Sequence, residues 1–275
     1  MRKLLSANFS RLWKDKIFWL GILFMFGFGI FGAYTKYSNI VRYNSQELLD
    51  DILFAYVILV GCCLAVFCSM FLGTEYSDGT IRNKLIVGHL RSSIYLSNWL
   101  TNIVVAIMMA IAFLLSYSTL GSLLLEPPKA SVGQILFYML ISIFTIIAYA
   151  SIFSTISMLI TKKSNAAVIC LLIFFGLLIL AMVVKAKLDA PEFISEYSMT
   201  MNGVEQTAPK PNPKYLQPAA RKVYQFFLDI LPTGQSIQLS AFQVVHPLLS
   251  MVYSTVISIL STVFGIFAFQ KKNLK

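Results

Sequence analysis

Long apolar runs separated by short polar stretches set the pattern of this chain. A helix needs about 20 apolar residues to cross a hydrocarbon core. Six runs approach or reach that length: 17–34, 52–72, 102–125, 135–160, 165–184 and 247–269. Lipid offers no partners to unpaired backbone groups, so each run is expected to be a helix. The predicted fold class is an all-α polytopic membrane protein with six transmembrane helices.

Three segments between the runs carry patterns of their own. Residues 1–16 place Leu5, Phe9, Leu12 and Trp13 on one helical face, with Arg2, Lys3, Arg11 and Lys14 largely elsewhere. This predicts an interfacial helix; the plainer reading is a basic flank to the first span. Loop 73–101 spaces Ile81, Leu85, Ile86, Leu90 and Ile94 as short amphipathic helices would, one or two of them, with a break near Gly88. Loop 185–246 contains Pro191, Pro209, Pro211, Pro213, Pro218 and Pro232. Its stretch Ala208–Pro218 is expected to be extended. Ala219–Leu231 then reads either as a helix with Val223, Phe226, Phe227 and Ile230 on one face, dipping into an interface, or as a loosely packed loop.

Composition strengthens the membrane reading. Hydrophobic residues make up 57% of the 275 and charged residues 12%. Soluble domains run nearer 45–50% and 25%. So much apolar surface would leave large sticky patches in water. Arg2 and Lys3 ahead of the first run raise the possibility of a signal peptide. However, the run begins only after Trp13 and five basic residues, which favours an uncleaved span.

The formal charge of +10 is unevenly placed. With both termini in the cytoplasm, the inner segments are 1–16, 73–101, 161–164 and 270–275. They hold 13 of the 22 basic residues against only Asp15, Glu75 and Asp78. The remaining segments balance to zero, and loop 185–246 is too long to weigh in the positive-inside count. The charge therefore reads as topology and anionic-lipid contact, not as a nucleic-acid surface. The expected location is a bacterial cytoplasmic membrane, with residues 185–246 extracellular.

Several kinds of chemistry are missing. No ionisable residue lies deep in a run, so ion coupling and voltage sensing lack their usual groups. GxxxxGK[ST], HExxH and GxSxG do not occur. Cys62, Cys63, Cys68 and Cys170 sit in apolar runs without zinc spacing, and His89 and His246 stand alone at membrane borders. No catalytic, cofactor-binding or metal site is expected in this chain. A transporter so equipped must borrow its energy or work passively.

The stretch Gly73-Thr-Glu75-Tyr-Ser-Asp78-Gly79-Thr80-Ile-Arg82-Asn-Lys84-Leu, continuing through Ile86-Val-Gly-His-Leu-Arg91 to Ser97, resembles the segment after the second span of ABC-2-type permeases. Glu75, Gly79 and Thr80 match that pattern. Many relatives place a Pro near the turn, where this chain has Gly88-His89. The basic amphipathic start, Leu231-Pro232-Thr-Gly234-Gln and the tail Phe269–Lys275 also resemble family features. The resemblance implies a dimer of permeases, formed with a second copy or a homologue. It implies ATP-binding cassette subunits on the cytoplasmic side, with ATP and Mg held there. A coupling helix would lie in loop 73–101, and Glu75, Gly79, Thr80, Arg82, Lys84 and Arg91 are the residues expected to serve it. Glu75 would either cap a helix start or pair with Arg82. The implied function is an exporter of an amphiphile, such as a peptide antibiotic, a lipid or a hydrophobic drug. A passive or ion-coupled carrier and a membrane scaffold or sensor are the alternatives. Gly27, Gly29 and Gly32 permit close helix approach, either at a dimer seam or in ordinary packing.

Overall fold

Helix starts need partners for their first N–H groups, and Asp15 supplies them where the first long apolar run begins. Its Oδ1 accepts from the amides of Ile17 at 2.8 Å and Phe18 at 3.1 Å. Before it lies the short helix α1 (Arg2–Leu12), and after it α2 (Lys16–Tyr43). The computed structural model describes residues 1–194, 197–200, 203–206 and 209–273.

The helices that follow are α3 (Tyr56–Ser77), α4 (Thr80–Ile86), α5 (Arg91–Leu124), α6 (Val132–Leu159) and α7 (Lys163–Leu188). Then come four short strands: β1 (Phe193–Ile194), β2 (Tyr197–Thr200), β3 (Gly203–Gln206) and β4 (Lys210–Pro211). The chain ends with α8 (Pro218–Ile230), α9 (Pro232–Ser240) and α10 (Pro247–Lys271). Six of the helices are long and apolar enough to span a membrane: α2, α3, α5, α6, α7 and α10. An even number of spans leaves both termini at one end of the bundle, together with α1 and α4. The strands, α8 and α9 occupy the other end.

The helices reach further than the apolar runs. The third is expected from Asn102 but begins at Arg91, so α5 has 34 residues. At 1.5 Å per residue that is roughly 50 Å, well beyond a hydrocarbon core. Its polar first turns, with Ser97, Asn98 and Thr101, are buried against other helices instead of bathed in water. Loop 73–101 accordingly shrinks. Glu75 belongs to α3, and between α3 and α5 only α4 and its flanking turns remain. Two glycines with positive φ, Gly79 at 67° and Gly88 at 92°, form those turns.

α3 sits at the centre and packs against α2, α5, α6, α7 and α9. α2 lies along α5. There Gly29 brings the backbones so close that an added Cβ would stand 2.8 Å from the carbonyl oxygen of Phe113. α10 turns a buried stripe of Ser250, Ser254, Ser258, Thr262 and Gly265 inward. Small residues of this kind let membrane helices approach closely. Tyr95 of α5 fills the space above Gly265 and is hydrogen-bonded to Thr155 of α6 at 2.7 Å.

The other end holds elements that periodicity does not show. β1 pairs with β4 and β2 with β3, both antiparallel. Part of the stretch expected to be merely extended is thus paired, although Ala208 lies outside the described residues. α8 forms close to where its apolar spacing predicts. α9 has no such spacing, yet most of it is buried among α3, α6, α7 and α8. Gln235 wires it in place. The Gln235 amide donates to the carbonyls of Asp229 at 2.7 Å and Ser250 at 3.0 Å, and its Oε1 accepts from Thr145 at 2.8 Å and Ser254 at 2.6 Å.

Candidate coupling site

The ionic centre of the molecule is Glu75, in the last turn of α3, with 0% of its surface exposed. An isolated buried carboxylate is strongly unfavourable, so it must be paired and hydrogen-bonded. Arg11 Nη1 of α1 lies 2.6 Å from Oε1, and Lys84 Nζ of α4 forms an ion pair with the same oxygen. Asn98 Nδ2 of α5 donates to Oε2 at 2.9 Å. Asn8 of α1 closes the ring, donating to Asn98 Oδ1 at 2.7 Å and accepting from Lys84 Nζ at 3.1 Å. The Arg11 guanidinium also lies over the Phe71 ring at 3.7 Å. One carboxylate thus fastens four helices together.

The pairing of Glu75 with Arg82 does not occur. α3 continues straight through Glu75 while α4 starts only after the Gly79 turn, and the geometry directs Lys84, one helical turn beyond Ile81, toward the carboxylate. Nor does Glu75 cap a helix start with its side chain; its main-chain carbonyl instead accepts from Thr80 Oγ1 at 3.0 Å. The face of α1 turned inward differs as well. Leu4, Asn8 and Leu12 are buried, whereas Trp13 is 52% exposed. A stripe containing Asn8 and reaching Arg11 is turned inward because Glu75 draws it there.

α4 presents its other side outward. Ile81 is buried, while Arg82 is exposed and Ile86, Val87 and Leu90 are each at least 70% exposed. Apolar tips of this kind at the end of a rigid element mark contact surfaces.

Arg91 opens α5 and does different work from the rest of the expected set. Its Nη1 donates to the carbonyls of Phe269 at 3.0 Å, Gln270 at 2.9 Å and Lys272 at 2.5 Å. These carbonyls lie at the C-terminal end of α10, where acceptors lose their i+4 amides; that of Phe269 also accepts from the Lys272 amide at 3.3 Å. Beside it, Lys272 Nζ donates to Tyr76 Oη at 2.9 Å and to the Met158 carbonyl at 3.0 Å, and lies over the Tyr76 ring at 4.1 Å. Burial pushes the Lys272 ammonium down to about 8. The tail beyond Asn273, including Lys275, lies outside the described residues.

Of the residues singled out from sequence, Glu75, Thr80 and Lys84 meet in one cluster. Gly79 shapes the turn beside it. Arg91 anchors α10, and Arg82 points away. Sequence reading missed Asn8, Arg11 and Asn98. They are far from Glu75 in the chain, and a lone amide on a helix face gives no pattern.

Six apolar helices that bury their charge at the bundle ends define a multi-pass α-helical membrane protein. Residues 4–192 match the family described as ABC-2 family transporter protein. The chain belongs to that family and is a permease of the ABC transporter class. A comparison with curated proteins found no match.

Proposed function

We propose that this chain is the membrane subunit of an ATP-driven exporter. A separate ATP-binding cassette subunit, holding ATP and Mg, docks at the termini end, which faces the cytoplasm of a bacterial cell. The observation that carries this reading is α4. Its end and the turn that follows carry an exposed apolar tip of Ile86, Val87 and Leu90, with Arg82 exposed on the helix, while its inner side is tied through Lys84 and Glu75 to α1, α3 and α5. A motor needs a stiff lever, and a helix locked by a buried ionic cluster is stiffer than a loop. The excess of basic residues at this end supports the orientation.

The functional unit in this reading is a dimer. Leu20, Leu23, Phe24, Phe28 and Phe31 of α2 are exposed around Gly27, which has nothing within 4 Å of an added Cβ. In this reading a second permease covers that face. The cargo in this reading is an amphiphile, a peptide antibiotic, a lipid or a hydrophobic drug, in keeping with the apolar composition of the spans.

The test is gentle solubilisation of the tagged chain coexpressed with its genomic neighbours. An ATP-binding subunit should copurify with the parent and be lost from an Arg82→Ala, Ile86→Asp, Val87→Asp variant that elutes as a folded protein. Recovery with both would move the docking surface away from α4. Recovery with neither would end the ATP-driven reading, and transport by the chain alone in liposomes would then be measured.

A further inference from the structure

At the end of the bundle opposite the termini, α7, α8 and α10 enclose a cavity of about 590 Å³. It is built from two unlike halves. One is an aromatic and aliphatic ledge: Phe226 of α8 meets Tyr253 of α10 edge to face at 5.8 Å, with Leu249 one turn away. Phe226 and Leu249 are 46% and 45% exposed, on the side where both helices turn apolar surface outward. The other half carries Lys185, Arg221 and Lys222.

The acids in the wall are already engaged. Asp189 is paired with Lys185 at 2.6 Å. Asp229, only 2% exposed, accepts from Gln225 at 2.7 Å, Gln238 at 2.9 Å and His246 at 2.8 Å. Of the cations, Lys185 is held by Asp189 and by Gln243 at 3.0 Å, and Arg221 lies over the Tyr215 ring at 5.1 Å. Arg221 Nη2 donates to the Leu188 carbonyl at 2.7 Å, but its Nη1 is buried without a hydrogen-bond partner among the described residues. A buried donor left unpaired is unfavourable, and Arg221 lines the cavity. Lys222 is exposed beside it.

We propose that this cavity binds an anionic phospholipid of the adjacent leaflet. A phosphodiester offers only acceptor oxygens, which suits the guanidinium fork and the neighbouring ammonium. Its acyl chain would lie on the Phe226–Leu249–Tyr253 ledge, which opens toward the lipid. α8 has the character such a site needs, an amphipathic helix with Val223, Phe226 and Phe227 exposed on its apolar face and basic residues at its border. The site stands whether or not an ATPase docks at the other end.

The full chain is placed in phosphatidylcholine nanodiscs, with a tryptophan reporter at the ledge, Phe226→Trp. The native Trp13, Trp19 and Trp99 belong to the termini end, and their signal is subtracted using the parent. Acyl-brominated phosphatidylglycerol should quench the reporter at a several-fold lower lipid fraction than brominated phosphatidylcholine. Arg221→Gln with Lys222→Gln should abolish the preference, and Lys271→Gln at the far end should leave it intact. Because Arg221 also tethers α8 to α7, Lys222→Glu alone serves as the second variant and should likewise remove the preference. Equal quenching by the two lipids, or a preference that survives Lys222→Glu, overturns the proposal. So does displacement of the phosphatidylglycerol by soluble glycerol phosphate, which would show that a free phosphate suffices.

Discussion

Glu75 is a case where one side chain is worth more than its neighbours in sequence indicate. Replacing it with Gln leaves Arg11 and Lys84 facing a neutral group in a site without other acids. Removing one partner of a buried ion pair costs about 3–5 kcal/mol, and the partial exposure of Arg11 and Lys84 places the expected loss near the lower end. Thermal unfolding in detergent should show Glu75→Gln strongly destabilised and Glu75→Gln with Lys84→Met partly recovered. Additive losses in that double-mutant cycle would show that the two side chains act independently. Lys272 makes a prediction in pH. Its folded value of about 8 lies below the ordinary lysine range near 10.5. Between those values the unfolded chain holds a proton that the folded chain has released, so stability rises with pH across that window. Below about pH 8 the burial penalty is fully present. The unfolding temperature of the parent should therefore gain on that of Lys272→Met between about pH 8 and pH 10. A constant difference would mean that Lys272 keeps its proton.

Among the elements, α2 separates two uses of glycine. Gly29 meets the Phe113 carbonyl of α5, a backbone atom that cannot swing aside, whereas Gly27 faces open space. Gly29→Leu should destabilise the bundle by about 1–3 kcal/mol, as overpacking of a tight core does. Gly27→Leu should leave the isolated chain as stable as the parent. The two unfolding curves decide this, and equal losses would contradict the packing described. α9 shows the limit of pattern reading for elements. Its sequence, Pro232–Ser240, is mostly polar, with Ile237 and Leu239 too few to form an apolar face, a composition that normally indicates an exposed or unstable helix. It is buried because Gln235, Ser236 and Thr233 find partners on other helices, including Tyr149 at 2.9 Å and the Leu177 carbonyl at 3.0 Å.

The whole molecule is tied by ionic clusters at both ends, with neutral hydrogen bonds such as Tyr95–Thr155 and Asn102–Ser154 joining the helices between them. At the termini end, the Glu75 cluster joins α1, α3, α4 and α5, and Arg91 with Lys272 joins α5, α10, α3 and α6. At the opposite end Lys36 pairs with Glu47 at 2.5 Å and Asp51 at 3.2 Å, and the Lys36 bond holds the Glu47 carboxyl below the usual range. Ionic fastening at both ends suits a protein whose helices move as a body. The exposed aromatic face of α2 belongs to this scale. If a second copy covers it, Phe24→Cys should form a disulfide-linked dimer on mild oxidation in membranes, and Gly27→Leu should suppress it. Failure to cross-link from either Phe24 or Phe28 would place the seam elsewhere.

The sequence by itself determined the number of spans, the all-α class and the excess of basic residues at one end, because a hydrocarbon solvent imposes its length and polarity on every segment separately. It also marked the region of α4 through Gly79, Thr80 and the spacing from Ile81, since turns and amphipathic faces are local properties. Tertiary structure decided the rest. Whether Glu75 meets Arg82 or Lys84, whether Asn8 and Asn98 are solvated or buried, and whether a polar nonapeptide becomes a helix inside the bundle all depend on groups brought together from distant parts of the chain. Hydrogen bonds and ion pairs are short-ranged and directional, so their partners are set by how the helices cross, and no periodicity along one segment records that.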